Sequence, residues 1–88
     1  MKVEFRASFN NDLGGIVSKK VRERIRWVIV EAESAQSPQE IQNLRKLRGF
    51  SSFFRIKVGD YRIGIELRKD TIIFIRALRR RDFYRFFP

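Results

Sequence analysis

Cysteine and histidine are both absent from this chain of 88 residues. Without cysteine, the protein has no disulfide, no thiolate nucleophile and no cysteine-ligated zinc. Without histidine, it lacks the most common general base and the most common metal ligand, so Ser-His-Asp and Cys-His catalytic groups are excluded. The acidic residues among positions 44–88 are scattered along the sequence, which does not favour a magnesium site. We therefore expect neither a metal nor a cofactor.

Long apolar runs are absent as well. No stretch approaches the roughly 18 consecutive apolar residues of a membrane-spanning helix. The first six residues alternate between apolar and charged side chains, whereas a signal peptide carries an apolar run and a small-residue cleavage site. The length, with 43% apolar and 34% charged residues, is typical of one globular domain. We expect a cytoplasmic protein with a single domain over residues 1–88.

Positive charge is abundant and unevenly distributed. The net charge is +10, and residues 44–88 carry thirteen basic side chains against four acidic ones. Residues 1–43 are nearly neutral, with seven basic and six acidic side chains. Such an excess indicates an anionic partner, and its asymmetry predicts that the anion-binding face is built from residues 44–88.

The first half of the sequence predicts one strand and two helices. The strand covers residues 2–6, a short helix covers 7–13, and a longer helix covers 19–34 with Ser18 as its N-cap. The apolar stripe of the longer helix has helical spacing and consists of Val21, Ile25, Val28, Ile29 and Ala32. Trp27 and Val30 lie on the other side of this helix. Trp27 is either covered by the short helix or exposed for a partner.

The second half changes to a period of two, which is typical of strands. We predict a basic connector over residues 44–52 and strands over 53–58, 61–68 and 71–78. Gly59-Asp60 is a two-residue hairpin turn of type II′ character. The length of the Lys69-Asp70 turn, two or four residues, stays open, and with it the face on which Arg76 and Arg79 lie.

The Gly59-Asp60 turn fixes the pairing of its two strands. Lys57 is then opposite Arg62, and Arg55 is opposite Gly64. Like charges directly opposite each other destabilise a sheet by up to about 1 kcal/mol, so this arrangement favours a bound anion. Gly64 has no side chain and leaves room for a ligand to approach.

Arginine and aromatic residues are interleaved at the end of the sequence, over residues 79–88. Guanidinium groups bind phosphates and aromatic rings stack on bases, so this pattern suits a nucleic acid. Tyr84 is the aromatic residue that we favour for a role in a site, because its hydroxyl also takes part in proton chemistry.

Three segments resemble RelE/ParE-type bacterial and archaeal toxins. Residues 45–49 and 54–66 resemble the core of these proteins, and residues 79–84 resemble their C-terminal His-Arg-X-X-X-Tyr signature. The resemblance covers almost the whole chain. It implies an α+β fold: a small twisted antiparallel sheet of about four strands in the order β-α-α-β-β-β, with an N-terminal helical hairpin on one face and a short C-terminal tail or helix.

The resemblance also implies a function. RelE-like members are toxins of type II toxin–antitoxin systems, and they cleave mRNA in the ribosomal A site without a metal, which inhibits translation. ParE-like members instead inhibit DNA gyrase and are not nucleases. The RelE-like endoribonuclease is the interpretation that we favour, because Tyr84 matches the cleavage signature. A ParE-like toxin and a non-enzymatic nucleic-acid-binding module stay as alternatives.

By motif, the resemblance assigns the catalytic residues Arg55, Lys57, Arg62, Arg80 and Tyr84. Arg55 replaces a lysine found in many family members, and Arg79 replaces a histidine. Since arginine stays protonated, neither can act as a base. Lys57 is the candidate base, assisted by Tyr84, because neighbouring positive charges disfavour a charged amine. Arg62 and Arg80 would hold the phosphate, and Arg55 would assist the leaving oxygen.

The remaining candidate residues are contacts to partners. Contacts to mRNA and ribosomal RNA are predicted for Lys46, Arg48, Arg79, Arg81 and Arg85. Contacts to a cognate antitoxin are predicted for Trp27, Val30, Phe86 and Phe87. The antitoxin would present an acidic or amphipathic segment to the basic half of the toxin. We expect a free toxin that is monomeric and a hetero-oligomer with the antitoxin.

Overall fold

The computed structural model describes residues 1–88 as a five-stranded sheet with three α-helices. The elements in chain order are β1 (Lys2–Phe5), α1 (Ala7–Gly14), α2 (Lys19–Ser34), β2 (Leu44–Lys46), β3 (Phe53–Val58), β4 (Tyr61–Arg68), β5 (Thr71–Arg79) and α3 (Arg80–Phe86), with a short 3₁₀ turn at Pro38–Glu40. The strand order in the sheet is β1-β5-β4-β3-β2. None of the helices has the length and apolar character needed to cross a bilayer.

The predicted α+β fold is confirmed, with two differences in the sheet. Residues 44–46, predicted as part of a connector, form the edge strand β2 and pair with β3. Strand β1 pairs with β5 in parallel, so the sheet is mixed and not purely antiparallel. Strand β5 lies inside the sheet between β1 and β4, and the middle strand is β4.

Helices α1 and α2 cover one side of the sheet, which we call the helix face. The backbone N–H of Val21 donates to Ser18 Oγ at 3.2 Å, which confirms the predicted N-cap of α2. Ile25 and Ala32 of the predicted stripe are buried. They pack with Phe9 of α1 against the sheet residues Ile56, Val58, Ile63, Ile65, Ile72, Phe74 and Ala77. This cluster is the main hydrophobic core.

The other side of the sheet carries a smaller core beneath α3, and we call it the α3 face. Its buried members are Leu47, Phe83 and Phe87, with Phe53, Ile75 and Leu78 packed against them. The basic tail of the sequence is therefore a helix docked on the sheet. Amphipathic spacing of Phe83 and Phe87, four residues apart, turns both rings towards the same surface.

The hairpin of β3 and β4 has the predicted register. Lys57 pairs with Arg62, and Arg55 pairs with Gly64. Gly59 has a φ of +57°, which the first central residue of a type II′ turn requires. Arg68 pairs with Thr71, so the turn at Lys69-Asp70 is also two residues long.

Strand β5 contains a β-bulge that α1 holds in place. Gly64 pairs with Arg76 and Ile65 with Phe74, which leaves Ile75 without a partner. Asp12 of α1 accepts hydrogen bonds from Arg76 Nε at 2.8 Å, Arg76 Nη2 at 3.1 Å and the Ala77 N–H at 2.9 Å. The hydrogen bonds to Asp12 raise the pKa of Arg76, and their effect exceeds the opposite effect of partial burial. The bulge determines how β5 leads into α3.

Candidate functional site

Two pairs of like charges lie on the α3 face of the sheet. Arg45 of β2 is directly opposite Arg55 of β3, and Lys57 of β3 is directly opposite Arg62 of β4. Each such pair destabilises a sheet unless an anion or a countercharge compensates. None of these four cations takes part in a salt bridge, although five salt bridges occur elsewhere in the protein. This part of the sheet therefore has the electrostatic character of an anion-binding surface.

A groove of about 590 Å³ opens beside these strands. Four basic side chains line it, and no acidic side chain does; the basic residues are Arg45, Lys46, Arg48 and Arg55. Three aromatic residues also line it: Phe50, Tyr84 and Phe87. Tyr84 is 62% exposed, so its hydroxyl is accessible to a ligand. The groove combines the two features that a single-stranded nucleic acid requires, positive charge for phosphates and aromatic surface for bases.

Comparison with known proteins identifies the family. No protein-family model matches the sequence. The protein is 40% identical over 89 residues to Toxin RelE3 of Methanocaldococcus jannaschii, and the match covers the full length of both chains. The chain belongs to the RelE toxin family.

Solved structures agree with this assignment. The RelB-RelE antitoxin-toxin complex from Methanococcus jannaschii matches with a TM-score of 0.82 and 38% identity, over 97% of this chain and 99% of that chain. The archaeal RelE-RelB complex from Pyrococcus horikoshii matches with a TM-score of 0.73 and 20% identity, over 90% and 93% of the two chains. At 20% identity, the second match shows only that the two proteins share a fold. The prediction of a RelE-like toxin of a type II toxin–antitoxin system is confirmed, and RelE membership supports a ribonuclease of the mRNA interferase class.

In this RelE chain, Arg62 is buried and fixed in one position. Only 6% of the residue is exposed. Its Nη1 donates to the carbonyl oxygen of Gly59 at 2.8 Å and to that of Tyr61 at 2.9 Å. Both acceptors are neutral, so they orient the guanidinium without cancelling its charge. Arg62 therefore supplies a fixed positive charge beside Lys57.

The start of α3 is tied to the hairpin turn. The backbone N–H of Arg80 donates to the carbonyl oxygen of Asp60 at 2.8 Å. Arg79 Nη1 lies 3.4 Å from Asp60 Oδ2, and its guanidinium lies 5.2 Å from the Tyr61 ring centroid. Arg79, predicted to bind RNA, is thus partly neutralised by Asp60, whereas the Arg80 side chain is exposed.

The structure brings some of the sequence-predicted residues together and separates others. Arg55 and Tyr84 line the same groove as Lys46 and Arg48. Lys57 and Arg62 form a neighbouring cross-strand pair, but they do not line the groove. Three exposed arginines of α3 stand outside the groove: Arg80, Arg81 and Arg85. The candidate site therefore has a groove and an adjoining cationic pair.

Among the basic and aromatic residues that line the groove, two are absent from the sequence-based prediction, Arg45 and Phe50. Arg45 lies in a strand of only three residues, which is too short for a clear period. The signal available was the cluster of basic residues at positions 45, 46 and 48. Nothing in the sequence separates Phe50 from the other phenylalanines, because its role depends on the loop after Gly49.

The space above Gly64 is not open to a ligand, contrary to expectation. A Cβ atom on Gly64 would lie 2.6 Å from Phe87 Cδ1, so the Phe87 ring already fills this position. Phe87 is 3% exposed and is not available for the predicted contact with an antitoxin. The physical reason is that α3 turns its apolar side onto the sheet. The other three predicted antitoxin contacts, Trp27, Val30 and Phe86, are exposed.

Proposed function

We propose that this RelE toxin is an endoribonuclease that cleaves mRNA in the ribosomal A site and so inhibits translation. The observation that carries the proposal is the groove that both Arg55 and Tyr84 line, together with three more basic and two more aromatic side chains. Family membership supports the enzyme class. The chemistry would require these residues to bind the RNA, move a proton and stabilise negative charge on phosphorus.

The substrate would lie with its phosphates along the basic side chains and its bases against the rings. Arg45, Lys46 and Arg48 form the β2 side of the groove, where they would bind successive phosphates. Phe50 and Tyr84 offer aromatic surface on which a base can stack. The scissile phosphate would then lie near Arg55, whose Nη1 donates to the carbonyl oxygen of Asn43 at 3.3 Å and is thereby oriented.

Cleavage would proceed by attack of the RNA's own 2′-oxygen on the adjacent phosphorus. The 2′-hydroxyl loses its proton, the new oxygen–phosphorus bond forms, and the bond from phosphorus to the 5′-oxygen breaks. Lys57 is our candidate for the group that takes the proton, with Tyr84 assisting. Both must be brought into hydrogen-bond reach of the 2′-hydroxyl by the bound substrate.

Positive charge would stabilise the transition state, in which the phosphorus group gains negative charge. Arg62 is held by the two carbonyl groups of the turn, so its charge needs no reorganisation during the reaction. Arg80 would add a mobile cation, and Arg55 would stabilise the departing 5′-oxygen. No group of three or more acidic side chains is placed to hold a metal ion, and none of these steps requires one.

The ribosome would supply the orientation of the substrate. An mRNA held in the A site presents one phosphodiester in a fixed geometry, which contributes a large rate factor. The toxin would dock on ribosomal RNA through exposed arginines of α3, Arg81 and Arg85. An activity on mRNA and ribosomes would take place in the cytoplasm.

The test is primer extension on an mRNA in a reconstituted translation reaction, with and without ribosomes. We expect cuts at A-site codons only when ribosomes and toxin are both present. The double variant Lys57→Ala/Tyr84→Phe should lose the cuts. Lys20→Ala, an exposed lysine on α2, is the matched control and should cleave normally.

Two other outcomes of these assays would support a different function. Uncut mRNA together with inhibited DNA gyrase would support the ParE-like alternative. Binding of RNA with a steep salt dependence, but without cuts in any reaction, would support a non-enzymatic nucleic-acid-binding module.

We also propose a cognate antitoxin as the partner of the toxin. The solved complexes of RelE relatives contain an antitoxin chain. On this chain, Trp27 is 70% exposed on α2. A groove of about 610 Å³ runs along α2, where Val30 and Leu13 of α1 are among its lining residues. An amphipathic segment with acidic side chains would bury these apolar residues and complement the net positive charge.

A further inference from the structure

The Phe87 ring packs directly against the backbone of Gly64. A Cβ atom at Gly64 would lie 2.6 Å from Cδ1 and 2.7 Å from Cε1 and Cγ of this ring. Real Cβ contacts are longer than these, so the ring occupies space that only glycine provides. Gly64 is in the middle strand of the sheet and Phe87 follows α3. The contact therefore fixes the end of α3 to the centre of the α3 face.

Phe87 also connects two groups of aromatic residues. Its ring centroid is 5.7 Å from that of Phe53 and 5.2 Å from that of Phe83. The ring centroids of Phe53 and Phe50 are 5.5 Å apart, and those of Phe83 and Tyr84 are 4.9 Å apart. The two end members of this aromatic chain, Phe50 and Tyr84, both line the groove.

The other end of α3 has an independent attachment. There the Arg80 N–H donates to the Asp60 carbonyl oxygen, and Arg79 pairs with the Asp60 carboxylate. A helix of seven residues that is attached at both ends has a defined position and rotation. Tyr84 lies between the two attachments, and its position at the groove follows from them.

We propose that Gly64 and Phe87 are positioning residues that hold Tyr84 in the groove beside Arg55. Gly64 acts by leaving space and Phe87 acts by filling it; because only 3% of Phe87 is exposed, the substrate would stack on Phe50 and Tyr84 instead. The proposal rests on the proposed function, because it concerns the geometry of that same site. The proposal also predicts that the effects of substitutions at positions 64 and 87 are not additive, because the Phe87 ring fills the space that a side chain at position 64 would occupy.

The central test measures single-turnover cleavage of mRNA on programmed ribosomes. Since Tyr84 would act in the chemical step, Gly64→Ala should lower the maximal rate about tenfold and change the half-saturating toxin concentration less than twofold. Phe87→Leu should lower the maximal rate as well. In the Gly64→Ala background, however, Phe87→Leu should raise the rate, because the smaller and more flexible side chain makes room for the new methyl group.

Two control variants separate positioning from general loss of stability. Gly14→Ala adds a methyl group where no atom lies within 4 Å, and it should leave the rate unchanged. Phe74→Leu reduces a fully buried ring on the helix face; it should lower the melting temperature while the folded protein keeps its maximal rate. Equal rates for Gly64→Ala and wild type would overturn the proposal. So would faster cleavage by Phe87→Leu alone, since the ring would then block the site.

A structural measurement is independent of activity. In the NMR spectrum of the wild type, the Hα protons of Gly64 should show nuclear Overhauser effects to the Phe87 ring and an upfield ring-current shift. Gly64→Ala should alter the Tyr84 ring resonances, and Gly14→Ala should not. Absence of the Gly64–Phe87 contact would overturn this inference even in an active toxin. An intact contact in a toxin that cleaves nothing would instead contradict the proposed ribonuclease.

Discussion

Arg45 on β2 lies directly opposite Arg55 on β3, and this row continues across the sheet to Gly64 and Arg76. Three of the four strands in the row thus carry an arginine. Only Arg76 has a carboxylate partner, Asp12. Repulsion between Arg45 and Arg55 reduces the stability of the free protein, and a phosphate bound in the groove would offset it. Stability and ligand binding are therefore in competition at this position.

Arg45→Ala should stabilise the free protein and weaken its binding to RNA. Removing a like-charge cross-strand pair contributes about 0.2–1 kcal/mol to the free energy of unfolding. Losing one phosphate contact should reduce the slope of log K against log salt by about 0.7 for a single strand. Urea denaturation and binding to a short single-stranded RNA at several salt concentrations measure the two effects. Lys20→Ala serves as the control, and a loss of stability in Arg45→Ala would contradict the interpretation.

Asp12→Ala should strongly destabilise the protein. The substitution leaves the partly buried Arg76 guanidinium and the Ala77 N–H without their acceptor. Breaking a fully buried ion pair costs about 3–5 kcal/mol of stability. We expect a somewhat smaller loss here, because this pair is partly exposed. Glu4→Ala removes an exposed pair at 4.0 Å and should change the free energy of unfolding by less than about 1 kcal/mol. Chemical denaturation of both variants measures the difference; similar small losses would show that α1 does not hold the bulge.

Trp27→Ala should weaken binding to the cognate antitoxin at least tenfold, because an exposed tryptophan that becomes buried in an interface is a common binding hot spot. The stability of the free toxin should stay the same, since Trp27 is mostly exposed. Isothermal titration calorimetry measures the affinity. The matched control is Val17→Ala, which truncates another exposed apolar residue. Unchanged affinity in Trp27→Ala would exclude this side of α2 from the interface.

The antitoxin should also raise the melting temperature of the toxin, because a ligand that binds only the folded state stabilises it by mass action. An excess of about one hundred times Kd corresponds to roughly 2.7 kcal/mol. For a domain of this size that energy is equivalent to a rise of about 10–20 °C. A thermal shift assay at increasing antitoxin concentration measures it. A melting temperature that stays constant would contradict the proposed partner.

Arg62→Lys should retain part of the activity that Arg62→Ala loses. Lysine keeps the positive charge beside Lys57, but its single ammonium group does not reproduce the geometry with which the guanidinium bonds to the turn. The alanine variant also leaves the carbonyl oxygens of Gly59 and Tyr61 without this donor and should be less stable by about 1–3 kcal/mol. Cleavage on programmed ribosomes and urea denaturation test both effects. Equal activity in the two variants would contradict a role for the charge.

The hairpin is predictable from the sequence because a two-residue turn leaves a single register. That register places Lys57 directly opposite Arg62 and Arg55 directly opposite Gly64. Strand β2 is not predictable, because three residues carry too little periodic signal. The Gly64–Phe87 contact depends on where α3 packs, and that packing is decided by Leu47, Phe53 and Leu78 on other elements. The sequence therefore predicts Arg55 and Tyr84 as site residues, but it does not predict the Gly64–Phe87 contact that fixes the end of α3.

The bulge at Ile75 decides the side of the sheet to which the following residues of β5 point. Along a regular strand, odd and even positions point to opposite sides. Phe74 and Ala77 both pack in the core of the helix face, which an unbroken alternation would forbid for residues three apart. The extra residue reverses the alternation, so Leu78 faces the smaller core and α3 follows on that side. If β5 kept its length without the bulge, the residues after Ile75 would exchange sides of the sheet, and Tyr84 would be directed away from Arg55.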